Sequence, residues 1–127
     1  MKAVYEADID TGILANSRIG VLGFGAQGRA HALNLRDSGA DVVVGLRDGS
    51  PSIPLCAELK LPTGTPERVA GEADLVMMLV PDEVQPAVYS DILAMRMRQG
   101  SALLFAHGYS VHFRQISPRP DLDVLMV

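Results

Sequence analysis

Runs of apolar residues punctuate the chain at Arg18 to Leu22, Asp41 to Gly45, Leu75 to Val80, Ala102 to Ala106 and Asp123 to Val127. Inside each run the apolar positions are continuous instead of alternating with polar ones, the pattern of strands buried on both faces of a parallel sheet. The intervening segments predict helices at Gln27 to Ser38, Pro54 to Leu61, Pro66 to Gly71 and Glu83 to Met95. In the first of these, Gly28, Ala32 and Leu35 recur at i, i+4 and i+7 and form one small-to-apolar stripe toward a sheet. Strand alternating with helix predicts an α/β fold: a Rossmann-type, doubly wound, mostly parallel sheet with helices on both faces. Leu61-Pro62-Thr63-Gly64 fits one further strand, which must be short or at an edge because proline cannot donate to a ladder. The last run, Asp123 to Val127, reads as a buried strand, and a buried strand with no helix to follow predicts that residues 1 to 127 are the N-terminal domain of something longer.

The first apolar run passes directly into Gly23-Phe24-Gly25-Ala26-Gln27-Gly28, a G-x-G-x-x-G loop, and then into the first helix. Each glycine answers a physical demand of a dinucleotide pyrophosphate. Gly23 allows the tight turn, Gly25 lets the backbone approach the phosphates, and Gly28 lets helix and strand pack closely. Open N–H groups and the positive end of the helix dipole then hold the anion. Gly39 closes the helix where a left-handed residue is commonly required.

Charge narrows the partners. With 127 residues, a net charge of −4 and no Lys/Arg-rich run, the chain suits one domain and lacks the clustered positive charge that nucleic-acid backbones require. No stretch is long and apolar enough to span a bilayer, and acids occupy the opening residues where a signal peptide needs its apolar stretch. A soluble cytoplasmic protein without membrane partners is the expectation. The single cysteine, Cys56, fits a small buried core residue in a helix. With neither a Cys/His cluster nor carboxylates spaced on a helix, no metal site assembles from these residues.

Ligands of doubly wound sheets lie outside the carboxyl ends of the strands, so the residues following each run carry the chemistry. About twenty residues beyond the glycines, where an NAD site places an acid for the ribose 2′-OH, this chain has Arg47, followed by Asp48, Ser50 and Ser52. A guanidinium fork and two hydroxyls suit a 2′-phosphate and favour NADP over NAD, provided Asp48 points away. The bland alternative is a solvated arginine and a serine cap for the next helix. After the fourth run come Asp82, Glu83, Val84 and Gln85, where Asp82 could cap a helix and its neighbours could line the nicotinamide ribose. After the fifth comes His107, followed by Gly108, beside the expected nicotinamide position; His31 and His112 have weaker claims.

Taken together, Gly23 to Gly28, Ala30 to Gly39, Val44 to Arg47, Pro81 to Gln85 and Phe105 to Gly108 resemble the N-terminal domain of ketol-acid reductoisomerase, also called acetohydroxyacid isomeroreductase. The resemblance runs in order through nearly the whole chain. It implies an NADPH-dependent enzyme of isoleucine, valine and leucine biosynthesis that converts 2-acetolactate to 2,3-dihydroxyisovalerate by magnesium-dependent alkyl migration and reduction. It assigns Phe24 to Gln27 to the pyrophosphate loop, Arg47, Ser50 and Ser52 to the 2′-phosphate loop, Asp82, Glu83, Val84 and Gln85 to further NADP contacts, and His107 to the active site. Arg29 stands where many relatives have His, and the stretch holding Pro51, Ile53 and Pro54 is less basic than usual. The family's C-terminal helical domain, with its acidic magnesium ligands and much of the acetohydroxyacid pocket, lies outside these residues, so the chain alone should bind cofactor without catalysis. Whether it forms a homo-oligomer stays open. Two rival readings share the glycine loop: a free-standing dinucleotide-sensing module, which would want an acid after the second strand, and a β-hydroxyacid dehydrogenase, which would want a lysine in a following helical domain.

Overall fold

The computed structural model describes all residues, 1–127. Six strands, β1 (Arg18–Leu22), β2 (Asp41–Gly45), β3 (Thr63–Gly64), β4 (Leu75–Met78), β5 (Ala102–Phe105) and β6 (Asp123–Met126), form one sheet in the order β3-β2-β1-β4-β5-β6. Every pairing is parallel. Strand order reverses between β1 and β4, so the connections leaving those two strands diverge and open a crevice at their carboxyl ends.

The helices divide between the faces as the strand side chains require. Ile19 and Val21 of β1, Val42 and Val44 of β2, Met77 of β4 and Leu104 of β5 point to one side, where they pack with Ala32 of α2 (Ala26–Asp37) and Cys56 of α3 (Ser52–Glu58). The alternate residues Leu22, Val43, Val76, Met78, Leu103 and Phe105 pack on the other side, with Val69 and Ala70 of α4 (Pro66–Glu72) and with Tyr89 and Leu93 farther along. Continuous apolar runs thus resolve into two cores that share one sheet. Burial pushes the Cys56 thiol up from its ordinary range, as suits a packing residue. Gly20 allows α4 to cross β1 closely, since a Cβ there would come within 2.5 Å of the Val69 side chain.

Some boundaries differ from the sequence reading. The helix after β2 starts at Ser52, two residues ahead of Pro54, because the first turn of a helix uses no intrahelical N–H and tolerates proline there. The segment expected as one helix from Glu83 to Met95 starts at Gln85, with Pro86 in its first turn, and is broken into α5 (Gln85–Val88), a π turn over Tyr89–Leu93, and α6 (Ala94–Arg96). Arg119 supports this piece from outside: its Nη1 donates to the carbonyls of Ala94 and Met97, at 2.8 and 2.9 Å, and its backbone N–H donates to the Tyr89 hydroxyl at 2.8 Å. β4 ends at Met78; the Leu79 N–H still donates to the Leu22 carbonyl at 2.9 Å, and the chain then passes against the Gly23 turn. The strand expected over Leu61 to Gly64 is only two residues long, Thr63–Gly64, at the sheet edge, and Pro62 just ahead of it contributes only its carbonyl, accepting from Val44 N–H at 2.8 Å.

The largest correction concerns the last strand. β6 forms, in parallel register with β5, but it occupies the other edge of the sheet and all four of its residues are exposed. Its apolar run satisfies strand propensity and edge pairing, with no helix covering it. Ahead of β1, a short 3-10 turn (Glu6–Asp8) and α1 (Gly12–Ala15) lie exposed on the surface. A last short helix, α7 (Tyr109–His112), follows β5. No helix is long and apolar enough to cross a membrane.

Candidate cofactor site

The crevice is built around the glycine loop. Gly23 has φ +97°, and a Cβ there would sit 2.6 Å from the Leu79 carbonyl oxygen, so the turn needs glycine for conformation and for space. A Cβ on Gly28 would collide with the Gly23 carbonyl, which ties the first turn of α2 to the end of β1. Gly25 differs: a Cβ there would meet nothing within 4 Å, so that face of the loop is open to a ligand. Gly25 is also the N-cap of α2 and carries no side chain, and no other side chain caps the helix. The first N–H groups of a 12-residue helix are therefore available at its positive end. These features fit a dinucleotide pyrophosphate.

On either side of Gly23 the crevice widens into a lobe. The first, about 460 Å³, has an apolar floor that includes Leu22, Leu46, Val84 and Ile92, and Arg47 and Ser50 line it at the end of β2. The second, about 510 Å³, runs along Phe24, Gly25, Ala26 and Gln27 to Asp82, Gln85 and His107. Gly23, Val80 and Pro81 belong to both. An elongated molecule with an anionic centre would thus meet a slot with a cationic rim, then the glycine loop, then a carboxylate–imidazole pair.

The expected residues are not all brought together. Arg47 is exposed and its guanidinium makes no hydrogen bond or ion pair within the protein, and Asp48 neither pairs with it nor lines the lobe. Ser50 Oγ accepts from Ser52 N–H at 3.3 Å, and Ser52 itself lies in the first turn of α3, outside the lining. Gly28 is buried behind the loop, and Glu83 is exposed and lines neither lobe. Val84 faces the first lobe, whereas Asp82 and Gln85 face the second.

Asp82 is not a helix cap. The N-cap of α5 is Val84, without a side-chain bond, and the Asp82 carboxylate instead meets His107 Nε2 at 3.0 Å. Gln85, expected beside the cofactor, is 4% exposed and spends its carboxamide inside the protein. Its Nε2 donates to the Val80 carbonyl at 3.1 Å and lies 3.4 Å from Asp82 Oδ1, while its Oε1 accepts from the fully buried Ser110 hydroxyl at 2.8 Å. Ser110, on α7, escaped the sequence reading; the only signal was a serine three residues past His107 in an apolar neighbourhood. His31 and His112 line neither lobe. No group of three or more His, Cys, Asp or Glu side chains is placed to hold a metal ion.

Residues 13–127 match the sequence profile of the acetohydroxy acid isomeroreductase NADPH-binding domain. The chain belongs to the ketol-acid reductoisomerase family. Among solved structures, an NADH-preferring ketol-acid reductoisomerase from an uncultured archaeon superposes with a TM-score of 0.90 at 38% identity, over 99% of this chain and 40% of that one. Two further neighbours share the fold: an oxidoreductase from a Jannaschia species (TM-score 0.76, 20% identity, 87% of this chain and 40% of that one) and 3-hydroxyisobutyrate dehydrogenase from Mycobacterium tuberculosis (0.67, 24%, 87% and 39%). This ketol-acid reductoisomerase chain therefore spans about 40% of the length of the relative it matches, and it carries the family's dinucleotide-binding domain.

Proposed function

We propose that the chain holds NADP(H) with the 2′-phosphate at Arg47 and Ser50, the pyrophosphate at Phe24 to Gln27 and the nicotinamide beside His107, and that it serves a full-length ketol-acid reductoisomerase in branched-chain amino-acid biosynthesis in the cytoplasm. The observation that carries this reading is Arg47: a guanidinium on the wall of the first lobe, with no partner in the protein and no acid directed at it. A site for NAD would want a carboxylate there to accept from ribose hydroxyls.

Bound NADPH would supply the reducing equivalent. This chain's contribution is binding and orientation: the loop seats the phosphates, Leu22, Leu46 and Val84 give the first lobe an apolar lining, and Asp82 stands against the His107 ring at the second. The magnesium-dependent alkyl shift needs carboxylate donors that are not grouped here, so the chain alone should bind cofactor without converting 2-acetolactate.

Calorimetry on the 127-residue chain tests the cofactor assignment. NADPH should bind more tightly than NADH, and Arg47→Ala should weaken NADPH by about 1.5–3 kcal/mol, the value of hydrogen bonds to a charged group, while leaving NADH unchanged. Equal affinities for the two cofactors, or a preference for NADH, would sink the 2′-phosphate assignment.

A further inference from the structure

Behind His107, Ser110, Gln85 and Asp82 form a connected row of polar side chains. Ser110 and Gln85 are buried, and burying a hydroxyl and a carboxamide is costly unless their hydrogen bonds are made. The Ser110 hydroxyl supplies a proton to Gln85 Oε1 at 2.8 Å. The opposite end of the amide faces only acceptors, the Val80 carbonyl at 3.1 Å and Asp82 Oδ1 at 3.4 Å. Turning the amide over would set oxygen against both acceptors, whereas the Ser110 hydroxyl can donate or accept and adapts to either, so the Val80 carbonyl and Asp82 fix its orientation. Asp82 Oδ1, reached by Gln85 Nε2, also stands 3.0 Å from His107 Nε2. An ionised carboxylate can only accept, so a proton on Nε2 is the arrangement that makes this 3.0 Å approach favourable. Nδ1 has no partner in the protein and is the nitrogen left for the second lobe.

We propose that Gln85 and Ser110 are positioning residues that hold Asp82 against His107, lock the imidazole in its Nε2-protonated tautomer and leave Nδ1 as the free acceptor at the nicotinamide end of the crevice. The connection joins segments distant in sequence, the start of α5 after β4 and α7 after β5. Ser110 is itself held in place, since its carbonyl accepts from the Gln115 and Ile116 N–H groups at 2.8 and 3.0 Å. The functional meaning rests on the second lobe being the reacting half of the cofactor site; the geometry at His107 does not.

Two-bond ¹H–¹⁵N spectra of the histidine rings in the labelled chain, at roughly pH 8 where a free imidazole is neutral, test the proposal. The wild-type His107 should show a pyrrole-type Nε2 and a pyridine-type Nδ1. In Gln85→Glu, which keeps the shape and the Ser110 bond but replaces the donor by an acceptor, both ring nitrogens should move toward the averaged values of free histidine. Ser110→Ala should move them the same way by a smaller amount, and it serves where the charged variant does not fold. His31 and His112 should stay unchanged as internal references. His107 shifts in Ser110→Ala and in folded Gln85→Glu that coincide with wild type would overturn the positioning role. NADPH calorimetry on the same samples keeps the two readings apart: a wild-type chain that binds no NADPH refutes the cofactor assignment while the ring spectra still decide the tautomer.

Discussion

At single residues, the glycine loop separates into parts with different physical reasons. Gly23 and Gly28 are required by the protein itself, because a side chain at either would run into backbone, whereas Gly25 faces open space. The two kinds should fail differently. Gly23→Ala forces a non-glycine residue to positive φ, at a cost of roughly 1–2 kcal/mol before the contact with Leu79 is counted, and should lower the urea midpoint. Gly25→Ala should leave the urea midpoint within about 0.5 kcal/mol of wild type and weaken cofactor binding, because the added methyl group occupies only ligand space. A Gly25→Ala chain that unfolds early but binds NADPH normally would reverse this assignment. The loop was legible in the sequence since its spacing is local. Gln85 was singled out from its place after the fourth run, but its bond to Ser110 was not legible, because only the fold brings Ser110 to its far side.

At the scale of elements, strands and helices were legible where periodicity within about ten residues decides them. The breaks in the helix after β4 were not, because the Tyr89–Leu93 π turn is supported by Arg119, far along the chain. Tyr89→Phe removes the acceptor of the Arg119 N–H and should cost about 1–3 kcal/mol in urea unfolding, the penalty for leaving a partly buried donor unpaired. A loss well below that range would mean water takes the place of the hydroxyl.

At the amino ends of the strands, Asp74 joins three elements: its carboxylate accepts from Arg18 N–H at 2.8 Å and from Arg98, and its carbonyl accepts from Ala102 N–H at 2.9 Å. The Arg18 N–H first, and then the Arg98 guanidinium, hold the Asp74 carboxyl below the usual carboxylate range. A lowered folded-state value means stability that is present above the unfolded carboxylate value of about 3.9 and is lost as pH falls through the folded one. Asp74→Asn should therefore flatten the acid limb of the stability–pH curve below about pH 4, followed by urea midpoints across pH, and change its shape little near neutrality. Asp74 is half exposed, so the effect should be modest.

Over the whole molecule, the doubly wound parallel sheet followed from the alternation of strand and helix, but the environment of β6 did not. An apolar run of four or five residues reads alike on a covered strand and on a bare edge, and only the absence of a helix against it decides exposure. Val124, Leu125 and Met126 are 45%, 46% and 66% exposed on an open edge, a template for pairing with another strand. Sedimentation velocity on the chain should show concentration-dependent self-association, and Leu125→Lys should suppress it.

One last feature bears on how such a domain changes over time. The Arg47 guanidinium makes no hydrogen bond or ion pair in the protein, and the lobe it lines meets the His107 lobe only along Gly23, Val80 and Pro81. A replacement at the rim therefore disturbs neither the packed cores nor the carboxylate–imidazole pair. The redox currency of such a domain can drift between phosphorylated and unphosphorylated nicotinamides by surface exchange, invisible to folding, and an NADH-preferring relative with nearly the same backbone is what such drift would leave behind.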